Sequence, residues 1–332
     1  MTDLQRLRGV VEGWRGRRIV VVGDLVADEH VVGRPLAIAR EAPVLVLEHV
    51  QREVLPGGAT NPAANARAMG AEVLVCGVVG DDAAGSALCE ALKRRGVDTS
   101  GVVVDASRPT TTKTRIWAGG AQQQVQQMML RLDRVERRPV GEQVTRALVE
   151  KVMEALEDAD ALMLSDYENG VIHPALIEAS LGPALANGKT VTVDAHGDLF
   201  RFRGATLFTP NQPEAEATLG RRLGSRQELE AGGAELRERL GARAVLVTRG
   251  QEGMSLFQAG AGAVHVPAHT APAADPTGAG DTVAAAFTLA VCAGASLEDA
   301  ALLANVAASV VVARVGTAVA SDADLLAALE GG

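Results

Sequence analysis

The chain has 332 residues, of which 47% are hydrophobic, only 2% are aromatic and 36 are glycine, a composition common in layered α/β proteins. It carries 32 basic and 41 acidic residues, and the resulting net charge of -9 argues against a general nucleic-acid binder. Three cysteines without a CxxC pair predict reduced thiols in a cytoplasmic protein. We expect no membrane partner, because the most apolar stretches are shorter than the roughly 20 residues that span a bilayer.

Short β-branched runs alternate with longer helical runs, which is typical of βαβ units. The first strand, Ile19–Val22, is apolar throughout and ends at Gly23-Asp24, as a strand buried on both faces does. We therefore predict an α/β fold with a doubly wound, mostly parallel sheet flanked by helices, in one domain over residues 1–332. Further strands are predicted at Glu72–Val79, Ala161–Leu164, Thr190–Asp194, Ala205–Phe208 and Ala244–Thr248, and helices at Thr60–Met69, Ala83–Arg95, Gly141–Leu156, Pro174–Ala186, Gln227–Leu240, Asp281–Ala293, Leu297–Ala313 and Asp322–Leu329.

Two segments interrupt the alternation of strands and helices. Residues roughly 30–56 and 110–134 each contain two strand-like runs with no helical run between them. Antiparallel β insertions would explain both segments, and together they would form a small discontinuous lid over a ligand site at the carboxyl ends of the parallel strands. The alternative is a pair of edge hairpins with no role in binding.

A glycine-rich segment, Asp275-Pro276-Thr277-Gly278-Ala279-Gly280-Asp281-Thr282, directly precedes an apolar helix. The backbone N–H groups of Gly278, Ala279 and Gly280 would lie at the helix N-terminus, where they favour an anion. A carboxylate at Asp281 would be placed to take a proton from an attacking hydroxyl. This combination suits phosphoryl transfer to an alcohol, although an aspartate that only caps the helix would give the same pattern.

A second glycine cluster, Pro56-Gly57-Gly58-Ala59-Thr60-Asn61, opens the helix after the first lid segment. The spacing from Gly58 through Asn61 to Gly70 and Gly80, taken with DPTGAGDT, resembles both signatures of the PfkB family of carbohydrate kinases. The resemblance extends over nearly the whole chain, including the lid segments. It implies a ribokinase-like fold and an ATP-dependent sugar kinase that uses Mg²⁺.

The resemblance also implies roles for residues on the sugar side of the site. Asp281 matches the catalytic base of the family, and Gly278, Ala279 and Gly280 match the anion hole for the transferred phosphoryl group. Asp24, at the end of the first strand, matches the acceptor for sugar hydroxyls. The cluster of Gly57, Gly58 and Asn61 is expected to place backbone donors and one amide near the substrate.

Other positions are implied to bind the nucleotide and its metal. Asn211 and Glu214 resemble the NxxE element that organises Mg²⁺, directly or through water, although they would also form an ordinary helix cap. Asp275 and Thr277 match a monovalent-cation site of some family members, so K⁺ activation is a weak hypothesis. The implied nucleotide contacts are Asn211, Glu214, Thr248, Arg249, Gly250 and Gly253, with Asn305 near the adenine.

Several stretches resemble the bacterial heptose 7-phosphate kinases within this family. They are Arg40–Val44, PTTTKTR at 109–115, Leu130–Asp133 and Ser165–Tyr167. The implied reaction transfers the γ-phosphoryl group of ATP to O1 of D-glycero-D-manno-heptose 7-phosphate and gives the 1,7-bisphosphate, a precursor in lipopolysaccharide synthesis. The sugar phosphate is anionic, so a local basic cluster is expected on the lid.

The predicted phosphate contacts are Lys113, Arg115 and Arg131, unless they are solvated charges that protect an edge strand. Two departures weaken the sugar assignment, because Glu168 and His196 stand where heptose kinases usually carry lysines. The alternatives are another PfkB kinase for a ribose-, fructose- or ketodeoxysugar-like substrate, and a catalytically silent sensor. A nicotinamide-dependent enzyme would need GxGxxG after the first strand, where this chain has GDLVAD. We also expect a homodimer through the lid, since paired lids leave no exposed sheet edge.

Overall fold

Strands and helices alternate along the chain in the computed structural model, which describes residues 3–119, 127–269, 276–314 and 318–331. The predicted elements at Glu72–Val79, Pro174–Ala186 and Ala244–Thr248 have the bounds expected of them. In chain order the elements are α1 (Asp3–Glu12), β1 (Arg18–Gly23), β2 (Leu25–Ile38), β3 (Leu45–Gly58), α2 (Thr60–Ala68), β4 (Glu72–Val79), α3 (Ala83–Arg94), β5 (Asp98–Val104), β6 (Thr111–Ala118), β7 (Gln127–Arg134), α4 (Glu142–Leu156), β8 (Ala161–Asp166), α5 (Pro174–Ala186), β9 (Thr190–Ala195), β10 (Leu207–Phe208), α6 (Gln212–Leu219), α7 (Arg226–Leu240), β11 (Ala244–Thr248), β12 (Met254–Gln258), β13 (Val264–Val266), α8 (Ala279–Cys292), α9 (Leu297–Val312) and α10 (Asp322–Gly331).

The larger sheet has nine strands in the order β13-β12-β11-β10-β9-β8-β1-β4-β5. Neighbours from β11 to β5 pair in parallel. At the other edge, β12 pairs antiparallel with both β11 and β13. Ile19 and Val21 belong to one apolar cluster, whereas Val20 and Val22 belong to the other. Because successive side chains of a strand point to opposite faces, the sheet is covered on both sides. The predicted doubly wound α/β fold is confirmed.

Alanine-rich helices account for much of the core despite the low aromatic content. The α8 segment from Val283 to Val291 is buried at every position, and α9 packs beside it. Small side chains let these helices approach one another and the sheet closely. Within the described ranges, none of the helices combines the length and apolarity that a membrane span requires.

The smaller sheet has the order β3-β2-β6-β7 and is built from the two segments predicted as a lid. Its outer pairs, β2–β3 and β6–β7, are antiparallel, while β2 and β6 run in parallel. The first segment is longer than the predicted 30–56, because β2 follows β1 after Asp24 alone and β3 continues to Gly58. The second segment falls within the predicted 110–134, with residues 120–126 outside the described part of the chain.

Candidate active site

The candidate residues come together at the carboxyl ends of the central parallel strands. Asp24 follows β1, Asp166 is the last residue of β8, and Asp194 is the second-last residue of β9. Asn211 follows β10 and forms an isolated parallel bridge with Thr248 at the end of β11. Ligands of open α/β sheets bind outside the carboxyl ends of the strands, so the fold places the predicted site at the edge where such ligands bind.

Asp281 is buried in the first turn of α8, and both of its carboxylate oxygens accept hydrogen bonds. Its Oδ2 accepts from Nδ2 of Asn61 at 2.7 Å, and its Oδ1 accepts from the hydroxyl of Tyr167 at 2.9 Å. The first contact joins the two glycine signatures, which lie far apart in the sequence. Burial raises the pKa of Asp281, and the bonds from Asn61 and Tyr167 oppose that rise. Each oxygen retains a further lone pair that can accept a proton.

A left-handed glycine opens α8 at the predicted anion hole. Gly278 has φ 81°, a conformation that side chains with a Cβ rarely adopt, and its carbonyl accepts from both the N–H and the Oγ1 of Thr282. The N–H of Ala279 donates to the Pro276 carbonyl at 3.2 Å. Gly280 is itself exposed and lies in the first turn, where helical N–H groups have no carbonyl of their own helix to bind.

Two asparagines connect α2 to α8 and fix the approach of Asn61 to Asp281. Nδ2 of Asn65 donates to the Asn61 carbonyl at 3.1 Å, and its Oδ1 accepts from the hydroxyl of Thr282 at 3.1 Å. The chain enters α2 through Gly58, whose φ is 54°. A Cβ on Gly58 would lie 2.4 Å from the Asp24 carbonyl oxygen, so only glycine fits this entry.

Asn211 and Glu214 form a reciprocal capping box at the start of α6. Oδ1 of Asn211 accepts from the Glu214 N–H at 2.9 Å, and Oε2 of Glu214 accepts from the Asn211 N–H at 2.8 Å. Oε1 of Glu214 lies 2.7 Å from Nδ1 of His196, and this contact raises the pKa of His196. The helix cap predicted as the alternative is therefore present, and it holds the Glu214 carboxylate at the site.

The fit of a divalent cation follows from these donors. Within the described ranges, no group of three or more His, Cys, Asp or Glu side chains could enclose a metal ion. Mg²⁺ commonly keeps several waters and binds through one or two carboxylates together with substrate phosphates. The oxygens of Glu214 and Asn211 fit that open, water-mediated mode of binding.

Three residues that were not predicted for the catalytic site complete it. Tyr167 connects Asp281 to His196, whose ring meets the tyrosine ring edge-on with centroids 4.6 Å apart. Asp194 accepts from the hydroxyl of Thr209 at 3.2 Å. Burial, aided by the charges of Asp281 and nearby Glu214, raises the pKa of Asp194 to about 7. The sequence showed Tyr167 and His196 only as features of the sugar assignment, because their sheet neighbours lie far away in the chain.

Asp24, which the resemblance implies as a sugar contact, accepts several backbone hydrogen bonds within the chain. Its buried carboxylate accepts the backbone N–H groups of Tyr167 at 2.8 Å and of Asn169 and Val171 at 3.1 Å. The role of Asp24 toward sugar hydroxyls stays a prediction. In the structure, Asp24 fixes the loop after β8 that carries Tyr167.

The three basic candidates on the lid have unequal surroundings. Arg115 makes a bidentate ion pair with Asp28, at 2.8 and 3.1 Å, and Arg131 makes one with Asp133, at 2.9 and 2.7 Å. Nζ of Lys113 instead lies 5.3 Å from the centre of the Tyr167 ring. The strand period puts Lys113 and Arg115 on the same face of β6, which turns toward Asp281. Lys113 is therefore the candidate whose charge acts on the catalytic centre, where it lowers the pKa of Asp281 against the effect of burial.

Comparison with known proteins decides the family. The model of the pfkB family carbohydrate kinases matches residues 17–324. The chain belongs to the pfkB family. The expected ribokinase-like fold and the ATP-dependent sugar kinase class are thereby confirmed.

Relatives and solved structures agree with this assignment. The chain is 39% identical over 328 residues to the bifunctional protein HldE of Pelobacter propionicus, covering 98% of this chain and 66% of the relative. It is 41% identical over 311 residues to HldE of Geobacter metallireducens, covering 93% and 62%. The chain therefore spans less than two thirds of the length of these relatives.

Among solved structures, phosphofructokinase-2 from Escherichia coli in complex with potassium superposes with a TM-score of 0.77 at 20% identity, covering 96% of this chain and 99% of the other. Ribokinase from Arabidopsis thaliana complexed with ribose and ATP gives 0.73 at 22% identity, covering 95% and 99%. At this level of identity the two likenesses describe the fold of the pfkB chain.

The positions expected on the nucleotide side of this pfkB chain lie beside α6. The N–H of Thr248 donates to the Pro210 carbonyl at 2.9 Å, and Nε of Arg249 donates to Gln212 at 3.2 Å. A left-handed turn follows, with φ 56° at Gly250 and 81° at Gly253.

A Cβ on Gly253 would lie 2.1 Å from the Val266 carbonyl oxygen, which explains the glycine in this turn. Asn305 is buried on α9 and donates to the Pro267 carbonyl at 2.9 Å. Of the two residues expected at a K⁺ site, Thr277 is exposed and Asp275 lies outside the described residues. The turn and Asn305 thus both contact the segment at the end of β13.

Proposed function

We propose that this kinase transfers the γ-phosphoryl group of ATP to O1 of D-glycero-D-manno-heptose 7-phosphate in the cytoplasm and yields the 1,7-bisphosphate used for lipopolysaccharide precursors. The observation that carries the proposal is the buried Asp281 carboxylate, held by Asn61 and Tyr167 at the glycine-rich start of α8. The HldE relatives, at 39% and 41% identity, support the heptose assignment. So do the lid stretches that resemble heptose kinases.

Asp281 acts as the general base in this proposal. It accepts the proton of the sugar O1 hydroxyl while O1 forms a bond to the γ-phosphorus and the bond from that phosphorus to the bridging oxygen of ADP breaks. Burial raises the pKa of Asp281 and so makes it a better proton acceptor than an exposed aspartate. The N–H groups at Gly278–Gly280 would stabilise the charge of the transferred phosphoryl group, for which Ala279 would have to give up its bond to the Pro276 carbonyl.

The nucleotide and cations are expected on the other side of the transferred group. Asn211 and Glu214 would hold Mg²⁺ through water, and bound Mg²⁺ supplies positive charge that neutralises the phosphate oxygens. The turn from Thr248 to Gly253 and Asn305 would contact the nucleotide. A K⁺ ion near Asp275 and Thr277 remains part of the proposal. Equal activity in potassium-free and potassium-containing buffer would remove it.

The sugar phosphate is expected to lie beneath the lid. Lys113 supplies positive charge beside the tyrosine ring, and Arg115 and Arg131 lie opposite each other on β6 and β7. Because each arginine already binds an aspartate, a phosphate must share or displace that partner. Lys113→Ala should therefore weaken binding of the sugar phosphate more than Arg131→Ala does, as measured by the KM for the sugar.

A homodimer through the lid is a further part of the proposal. Large apolar side chains are exposed on this sheet, among them Leu36 at 65%, Ile38 at 64%, Leu130 at 54% and Leu132 at 62%. Clustered apolar exposure on a strand edge favours association. A second lid of the same chain would cover these side chains and leave no free sheet edge.

A different sugar is the second candidate, and two observations favour it. His196 binds Glu214, and Glu168 adopts φ 57° with its carboxylate against Gly197. Neither residue offers the permanent positive charge of the lysine that heptose kinases usually have at that position. A pfkB kinase for a ribose-, fructose- or ketodeoxysugar-like substrate would have less need of that charge.

The two candidates differ in the sugar that they consume. We would measure Mg²⁺-dependent ADP release with heptose 7-phosphate, unphosphorylated heptose, ribose, fructose, fructose 6-phosphate and a ketodeoxysugar, using Asp281→Asn as the blank. The heptose kinase predicts a kcat/KM for heptose 7-phosphate at least tenfold above any other, which corresponds to about 1.4 kcal/mol of selectivity. Preference for another sugar would support the second candidate. ATP binding without turnover on any sugar would support a sensor.

A further inference from the structure

Tyr167 is the single tyrosine of the chain, and its hydroxyl donates a hydrogen bond to the candidate base. It donates to Oδ1 of Asp281 at 2.9 Å, while Asn61 holds the other oxygen at 2.7 Å. Two donors on two oxygens fix both the position and the rotation of a carboxylate. With either donor removed, the carboxylate could turn about its last side-chain bond.

The backbone of Tyr167 is itself held firmly. Three N–H groups of residues 167–171 donate to the buried Asp24 carboxylate, as described above. The preceding residue, Asp166, forms an ion pair with Arg201 at 2.7 Å, and Arg201 also donates to the Ile172 carbonyl at 2.6 Å. The loop is thus attached to the core on both sides of the tyrosine.

The ring of Tyr167 is held from two directions. His196 meets it edge-on, with centroids 4.6 Å apart, and is itself fixed by Glu214 at 2.7 Å. Lys113 approaches from the lid, 5.3 Å from the ring centre. These contacts form a continuous line from the capping box of α6, through His196 and Tyr167, to Asp281 on α8.

We propose that Tyr167 is a positioning residue that holds the Asp281 carboxylate in the orientation needed to accept the proton of the sugar hydroxyl. This inference rests on the proposed role of Asp281 as the base. Tyr167 makes no bond in the reaction itself. Its hydroxyl fixes one oxygen of the base, so the oxygen bound to Asn61 keeps a constant direction toward the acceptor sugar.

Kinetics of a variant that lacks only the hydroxyl test the proposal. Tyr167→Phe keeps the ring contacts of His196 and Lys113, so we expect kcat to fall about tenfold or more while the KM values for ATP and sugar stay within about twofold. The matched control is Thr288→Val, which removes another buried hydroxyl of α8, one that contacts Thr192 at 2.8 Å. Its kcat should stay within about twofold of the wild type.

The pH profile of Tyr167→Phe gives a second kinetic readout. The groups facing Asp281 are Asn61 and Tyr167, with Lys113, His196 and Asp194 acting through their charges or dipoles. The tyrosine hydroxyl stabilises the ionised base, so its loss should move the acidic limb of kcat/KM to higher pH. An unchanged acidic limb together with wild-type kcat would overturn the proposal.

A spectroscopic readout needs no sugar substrate. Because the chain has one tyrosine, growth on 3-fluorotyrosine labels position 167 alone, and its ¹⁹F shift reports ionisation of the phenol. Burial and the Asp281 charge raise the pKa of Tyr167 well above its ordinary value. In Asp281→Asn the labelled phenol should therefore ionise at lower pH, by about one unit or more, which is a tenfold change in the equilibrium.

The two readouts separate failure of this inference from failure of the proposed function. If no sugar is phosphorylated but the ¹⁹F titration shifts in Asp281→Asn, the tyrosine holds Asp281 and the assignment of the reaction is wrong. If sugar is phosphorylated but Tyr167→Phe keeps its kcat and its pH profile, the positioning role is wrong. A labelled phenol that titrates at the same pH in Asp281→Asn and in the wild type would also overturn it.

Discussion

The two sheets of this kinase differ in how completely the chain itself covers them. Every residue of β8 in the main sheet is buried, whereas every residue of β7 in the lid is exposed. The candidate base, its two donors and the capping box all belong to the main sheet, its helices or the loop after β8. The lid contributes Lys113 and a set of uncovered apolar side chains. The candidate site is therefore formed by residues of one chain, whereas the lid strands leave apolar side chains exposed.

The largest expected effect comes from a substitution at the candidate base, on the side of the main sheet. Asp281→Asn removes the candidate base without emptying the site, because the amide keeps the size of the side chain and one of the two oxygens that accept from Asn61 and Tyr167. We expect kcat to fall about 10²- to 10⁴-fold while ATP affinity stays near that of the wild type. Single-turnover kinetics and calorimetry of ATP binding would measure the two quantities. Near-wild-type turnover would exclude Asp281 as the base.

The second prediction concerns stability of the core behind the site. Phe287 is fully buried on α8, two turns after Asp281, and Phe287→Ala should lower the free energy of unfolding by about 3–5 kcal/mol. The half-exposed Met153 on α4 provides the control, since Met153→Ala should change stability by about 0.5 kcal/mol or less. Urea titrations of both variants would give these values, and equal losses would contradict the prediction that the buried face of α8 stabilises the fold.

The third prediction concerns association of two chains through the lid. Leu132→Lys places a charge on the exposed apolar surface, where it should oppose burial against a second copy. Light scattering at micromolar concentration should give twice the chain mass for the wild type and a single chain mass for the variant, with unchanged thermal stability of the monomer. A wild-type mass of one chain would show that the lid does not form this interface.

The smallest effect is a pH dependence of stability that originates in the core. The pKa of Asp194 is raised from 3.8 to about 7 by burial and neighbouring carboxylates, so the folded state keeps a proton that the unfolded state releases. The contribution of Asp194 to stability is therefore full below pH about 4 and falls as pH rises toward 7. Between pH 5 and 8, the wild type should lose more thermal stability than Asp194→Asn, by about 2 °C or more. Parallel losses in both proteins would contradict the raised pKa.

The pattern of apolar runs predicted most of the main sheet because its strands are buried on both faces and read as continuous β-branched segments. Predictions were least accurate where tertiary pairing decides the structure. The strand expected at Ala205–Phe208 is only Leu207–Phe208, and the strands β5 and β12 were not predicted. In β10, two residues form a strand beside their neighbours in the sheet, although their own pattern carries little signal.

For the site as well, residues in local motifs were predicted, whereas residues placed by strand pairing were not. Local motifs identified Asp281 and the capping pair, because a helix start and its glycines are written in adjacent residues. Tyr167 and His196 were not placed at the site, since only the parallel order β1-β8-β9 brings the ends of their strands together. Asp24 binds the loop after β8 rather than standing free, and no residue near it in the sequence indicates those partners.

The proposed reaction transfers a phosphoryl group to O1 of a sugar that already carries a phosphate. We would follow the reaction of ATP and D-glycero-D-manno-heptose 7-phosphate by ³¹P NMR, with Asp281→Asn in parallel. If the proposed reaction occurs, a new anomeric phosphate resonance grows with ADP while the C7 phosphate resonance of the sugar persists. Asp281→Asn should give no such anomeric resonance. Formation of inorganic phosphate alone, or an equal yield with Asp281→Asn, would contradict it.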